Sequence, residues 1–168
     1  MSQDNSHQLF TKEKIKASTK RIALQILESN VAEKQLFLVG IADNGLLFAE
    51  RIQKELQNYS SIQTELIGLE INKKNPTEKI KISKDVNACK DASIIVIDDV
   101  LNTGSTLIYA VNQFLEVPLK RLQTAVLVNR NHKRYPIKAD FKGLSLSTSY
   151  KEHIEVVFGG ENEGVYLS

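Results

Sequence analysis

The sequence predicts one α/β domain built on a mostly parallel central sheet flanked by helices on both faces, and three observations predict it. Uncharged aliphatic runs recur at Leu36 to Ile41, Ile94 to Ile97 and Ala125 to Val128. Such continuous apolar runs mark strands covered on both faces. Segments with apolar residues at helical spacing alternate with them. The length of 168 residues suits one domain, which buries roughly 70% of the surface its unfolded chain exposes.

Taken in order, residues 1–10 are polar and read as a disordered tail. From Thr11 to Glu28, Ile15, Ile22, Ala23, Ile26 and Leu27 form one helical stripe among Lys12, Lys14, Lys16, Lys20 and Arg21. This is a basic amphipathic helix. Leu36 to Ile41 is the first buried strand, and Gly45 to Leu56 a helix with Phe48, Ala49, Ile52 and Leu56 inward. Ile62 to Ile71 is the second strand. Residues 72–91 are lysine-rich and polar around Pro76, with Ile80 and Ile82 alternating against Lys79, Lys81 and Ser83. That pattern predicts a projecting, flexible β-arm. The strand at Ile94 follows, then a helix from Leu107 to Phe114, a strand from Arg121 to Asn129, and shorter strands at Ala139 to Leu146 and Ile154 to Phe158.

Composition narrows the function. Hydrophobic residues make up 42% and charged residues 25% of the chain, and the net charge is +2. A near-neutral balance gives little general support to nucleic-acid binding. The single cysteine, Cys89, excludes an internal disulfide and fits a reducing compartment. The first residues lack a secretory pattern, and no stretch reaches the ~20 apolar residues of a membrane span. A cytoplasmic protein without membrane contact is expected.

The chemistry is concentrated in Ile94 to Thr106. The strand ends on Asp98 and Asp99 and passes into Thr103, Gly104, Ser105 and Thr106 just before a helix. Hydroxyls, backbone amides and the positive end of the helix dipole suit a phosphate there, and Gly104 lets the backbone approach it. Carboxylates suit sugar hydroxyls. Neither a Walker P-loop nor a dinucleotide fingerprint is present. In a parallel sheet the ligand lies beyond the carboxyl ends of the strands. Ala42 to Gly45 and Asn129 to His132 should therefore share the rim with Asp98 and Asp99.

This segment resembles the phosphoribosyl-pyrophosphate motif of the type I phosphoribosyltransferases. Leu38 to Ile41 with Gly45, Ala125 to Val128 with Arg130 and His132, and Pro136-Ile137, Ala139-Asp140 and Gly143 are most similar to the pyrimidine operon attenuator and uracil phosphoribosyltransferase family. The resemblance runs from about Arg21 to Ser149. It implies the type I fold with a hood or flexible arm, and an enzyme of the pentosyltransferase class. It assigns Asp98 and Asp99 to the ribose as catalytic acids and to magnesium. It assigns Val100, Leu101, Asn102, Thr103, Gly104, Ser105 and Thr106 to the ribose 5-phosphate. Ala42, Asp43, Asn44 and Gly45 are assigned to pyrophosphate, and Asn129, Arg130 and His132 to the base side. The implied partners are phosphoribosyl pyrophosphate, a nucleobase, uracil first, and a second copy of the chain in a homodimer or larger assembly.

The pattern also departs from that family. Asp43-Asn44 stands where a basic residue usually precedes the loop glycine, Ser105 where Arg is common, and Asn102 where an aromatic is common. The arm lacks a Tyr-Arg pair, for which Lys73, Lys74 and Lys79 offer charge. Two rival functions stay open at this point: an RNA-binding attenuator or nucleotide sensor with weak catalysis, and a purine (hypoxanthine or guanine) phosphoribosyltransferase. The lysines of the first helix would serve the RNA reading, though a solvated helix face explains them equally well.

Overall fold

A computed structural model describes residues 6–149 and 151–168. The strands and helices follow in the order β1 (His7–Thr11), α1 (Lys12–Ser29), β2 (Gln35–Ile41), α2 (Asn44–Tyr59), β3 (Gln63–Glu70) and β4 (Lys81–Ile82). A 3₁₀ turn (Val86–Cys89), β5 (Ser93–Leu101), α3 (Ser105–Phe114), β6 (Arg121–Arg130), β7 (Phe141–Leu146), β8 (Ile154–Val157) and β9 (Gly164–Leu167) complete the chain. Six strands form the main sheet in the order β4-β3-β2-β5-β6-β7, and β1-β9-β8 form a second, antiparallel sheet. Within the main sheet every pairing except that of β4 is parallel.

The aliphatic runs behave as strands buried on both faces should, because alternate side chains leave the sheet on opposite sides. Leu36, Leu38, Ile95 and Ile97 pack with Ile22 and Ile26 of α1 and Phe48 and Ile52 of α2. Phe37, Val39, Ile94 and Val96 pack on the other side with Leu107, Ala110 and Phe114 of α3. Two helices on one face and one on the other leave the carboxyl ends of β2, β5 and β6 together at one rim.

Two expectations change. Residues 7–10 are not tail: β1 pairs with β9, and Leu9 and Phe10 pack against the core, while residues 1–5 lie outside the described residues. The segment 72–91 does not project as a whole. Ile80, Ile82 and Val86 pack beside the second core, and Cys89 is fully buried within it. Its few apolar residues are enough to fold the segment onto the sheet edge, where Leu69 and Glu70 pair with Ile82 and Lys81. Burial also pushes the Cys89 thiol up, out of its reactive range.

A buried carboxylate ties the small sheet to the body. Glu163, almost wholly buried, receives both guanidinium nitrogens of Arg51 at 2.5 and 3.1 Å and the Gly159 amide at 2.8 Å. The Arg51 guanidinium holds the Glu163 carboxyl below its usual range.

Candidate active site

A cavity of about 350 Å³ lies at the rim, between the end of β5, the start of α3 and strand β8. Asp98 and Asp99 form its floor, only 2% and 9% exposed. Each acid holds the next amide: Asp99 N–H donates to Asp98 Oδ1 and Val100 N–H to Asp99 Oδ1, both at 2.9 Å. Asn44 donates from Nδ2 to Asp99 Oδ2 at 3.0 Å and to the Val156 carbonyl at 2.9 Å, joining α2, β5 and β8. Lys73 Nζ stands 3.4 Å from Asp98 Oδ1 and 3.9 Å from Asp99 Oδ1. Burial pushes Asp98 up to about 7, with Lys73 holding the rise back and the neighbouring Asp99 adding to it.

The turn into α3 is shaped by its own polar groups. Thr103 Oγ1 accepts the Ser105 amide at 3.2 Å, and its carbonyl accepts the amides of Arg134 and Tyr135 at 2.8 and 3.1 Å. Gly104 has φ +86°, and a Cβ there would lie 2.7 Å from Ile137 Cγ2. The start of α3, Ser105 to Leu107, therefore lines the cavity with the dipole of the helix behind it.

The structure brings together part of the set expected from sequence. Asp98 to Thr106 all line the cavity, with Asn44 beside them. Ala42, Asp43 and Gly45 share the rim but do not line it. The Ala42 amide donates to the Leu69 carbonyl at 2.8 Å, and the Ala42–Asp43 peptide is cis. Gly45 is pressed onto β5, where an added Cβ would lie 2.8 Å from the Ile97 carbonyl oxygen. It serves close helix–strand packing.

Asn129, Arg130 and His132 also stay outside the cavity wall. Arg130 is buried and donates to Thr148 Oγ1 (2.5 Å), the Ser149 and Glu152 carbonyls (2.7 and 2.5 Å) and Asn102 Oδ1 (3.4 Å). His132 Nε2 lies 2.5 Å from the Thr148 carbonyl. These oxygens satisfy the arginine, so it ties Thr148, Ser149 and Glu152 to Asn102 in the turn before α3. The opposite wall of the cavity is instead His153, Ile154, Glu155 and Val156. His153 is exposed and lines the cavity.

A largely parallel sheet with paired acids at a strand end and a helix amino terminus beside them defines an α/β protein with a polar cavity at the carboxyl rim of its sheet. The family model described as phosphoribosyl transferase domain matches residues 5–159. The chain belongs to this phosphoribosyltransferase family. The Bifunctional protein PyrR of Macrococcus caseolyticus is 33% identical over 144 residues, covering 82% of this chain and 83% of that protein. Its counterpart from Fusobacterium nucleatum is 33% identical over 171 residues, covering 95% and 96%. Among solved structures, a hypoxanthine phosphoribosyltransferase from Staphylococcus aureus superposes with a TM-score of 0.72 at 20% identity, over 86% of this chain and 80% of that one. A hypoxanthine-guanine phosphoribosyltransferase from Bacillus anthracis gives 0.73 at 19% identity, over 96% of each. These two likenesses establish the fold. Among the described residues no helix is long and apolar enough to cross a membrane.

Proposed function

We propose that the protein transfers the phosphoribosyl group of phosphoribosyl pyrophosphate to a nucleobase, uracil first among the candidates. The observation that carries this is the continuous cavity wall from Asp98 to Thr106. In this reading Asp98 and Asp99 orient the ribose hydroxyls. Their field stabilises the oxocarbenium-like charge that develops at C1 as pyrophosphate leaves and the base nitrogen attacks from the opposite face. The amides and hydroxyls of Thr103 to Thr106 hold the 5′-phosphate.

The donor set fits magnesium. Among the described residues no group of three or more His, Cys, Asp or Glu is placed to hold a metal. Two adjacent carboxylates suit an ion that takes most of its ligands from substrate oxygens and water. Bound beside Asp98 and Asp99, it would supply neutralising charge for the departing pyrophosphate.

Strand β8 favours an imide base. His153 and Ser168 exchange both backbone hydrogen bonds, at 2.7 and 2.9 Å. Antiparallel alternation then turns the backbone of Ile154 and Val156 away from β9, on the side from which Asn44 reaches the Val156 carbonyl. Ile154 N–H, Ile154 C=O and Val156 N–H form a donor, acceptor, donor row. Uracil presents the complementary acceptor, donor, acceptor edge.

The RNA-attenuator reading is supported less. Arg21 donates to the Lys142 and Gly143 carbonyls at 3.2 and 2.8 Å, and Lys20 sits over the Tyr59 ring at 5.2 Å. Turnover measured side by side with uracil, hypoxanthine and guanine tests the proposal. Product formed from uracil with phosphoribosyl pyrophosphate upholds it; no turnover of any base removes it, and a shifted leader RNA at low salt would then favour the attenuator.

A further inference from the structure

We infer that Lys73 is a movable counter-ion, which neutralises the acid pair and passes to the pyrophosphate of an arriving substrate. The inference rests on the phosphoribosyl-transfer reading of the cavity. Its first support is a shortage of positive charge. Asp98, Asp99 and Glu155 line the cavity, and among its described lining residues Lys73 is the only lysine or arginine. The loop from Ala42 to Gly45 carries Asp43 and no cation. A sugar bearing a phosphate and a pyrophosphate brings further negative charge, which a protein cation at the mouth would offset beside the magnesium.

Position and mobility are the second support. The Lys73 contacts at 3.4 and 3.9 Å are longer than the ~2.8 Å of a tight charge-assisted hydrogen bond, so charge holds the ammonium there more than geometry does. Its side chain is 46% exposed. The backbone beneath it is fixed: Asn72 Oδ1 accepts the amides of Lys74 and Asn75, and Glu78 receives Asn72 and Asn75 at 2.9 and 3.0 Å. A long, half-exposed side chain thus extends from a braced turn to the mouth of the cavity.

The two tasks have opposite signs. On the acids, Lys73 competes with ribose hydroxyls for the same carboxylate oxygens; beside pyrophosphate, it assists binding. Its removal must therefore split two ligands that a general loosening of the fold would weaken together.

Calorimetric titration of the full chain with magnesium chloride tests this, using phosphoribosyl pyrophosphate, inorganic pyrophosphate and ribose 5-phosphate as probes. Lys73→Ala, and Lys73→Gln as a variant of similar length, should bind phosphoribosyl pyrophosphate about tenfold or more weaker, as for loss of a charged hydrogen bond. Ribose 5-phosphate should bind as well as to the native protein or tighter, which also shows that the variants are folded. Lys73→Arg, which keeps the charge, should retain most of the affinity. Native-strength binding of phosphoribosyl pyrophosphate by both neutral variants overturns the inference, as does an equal loss of all three ligands. Failure of the native protein itself to bind phosphoribosyl pyrophosphate overturns the cavity reading and this inference with it.

Discussion

Two strand-turn-helix units stand side by side at the rim, β2 with α2 and β5 with α3, and their turns have opposite fates. In the β5 unit Thr103 organises the turn, Gly104 takes a left-handed conformation, and the first turn of α3 lines the cavity. In the β2 unit the Ala42 amide is engaged by Leu69, Gly45 is pressed against the Ile97 carbonyl, and Asn44 bridges Asp99 to Val156. The same local architecture gives a cavity wall in one unit and, where neighbours engage its polar groups and press on its glycine, a brace in the other. Backbone satisfaction, more than sequence position on the rim, separates the two.

The comparison can be broken where the effect is largest. Asp98→Asn with Asp99→Asn should lower turnover by roughly a thousandfold or more while circular dichroism and the melting transition persist, because electrostatic stabilisation is lost and shape is kept. Native-level turnover in that double variant would place the chemistry away from β5.

Next in size is a pH effect confined to the β5 acid. Asp98 has a folded pKa near 7, above that of an unfolded aspartate. Its protonated form therefore favours folding; that contribution is complete below about pH 4 and is lost as pH rises through about 7, amounting to at most about 4 kcal/mol. Melting curves from pH 5 to 8 should fall for the native chain and be flatter for Asp98→Asn, which becomes the more stable of the two above pH 7. Parallel curves would mean that Asp98 is solvated.

The paired glycine substitutions sharpen the contrast. Gly104→Ala forces a side chain into φ +86° at a cost of about 1–2 kcal/mol, and distorts the phosphate turn. Gly45→Ala meets backbone atoms of Ile97 and Asp98 and should cost about 1–3 kcal/mol of stability by overpacking. Titration with ribose 5-phosphate distinguishes them: the first variant should lose affinity beyond its loss of stability, the second should not. The smallest effect is expected of Asn44→Ala, a loss of about 1 kcal/mol in melting stability from the broken bridge, since each of its bonds is a single one to a neighbour. A loss of pyrophosphate affinity with no change in stability would instead make the β2 turn a cradle after all.

Much of this was readable from the chain. The buried strands Leu36 to Ile41 and Ile94 to Ile97 announce themselves because each must be apolar on both faces, and Asp98-Asp99 followed by Thr103 to Thr106 is a local motif whose chemistry needs no partner. Other features depend on distant atoms. β1 and β9 are short, and β1 lies at a sheet edge, so their few apolar residues show no period until His7 meets Leu167. Arg130 has the same side chain whether it grips a ligand or a hydroxyl and two backbone carbonyls, and only the placement of Thr148, Ser149 and Glu152 decides. The β8 wall at Ile154 and Val156 lines the cavity through a strand whose place depends on its pairing with β9, which no local pattern shows.

The pairing of β1 with β9 sets a timetable for synthesis. A chain emerging amino end first can close the main sheet once Leu146 is available, with acids and phosphate turn already in place. Strand β1, though first to appear, must wait for Gly164 to Leu167 before it finds its partner. The far wall of the cavity, on β8, is likewise braced only when β9 has joined it, so one late strand completes both the amino-terminal edge and the mouth of the cavity.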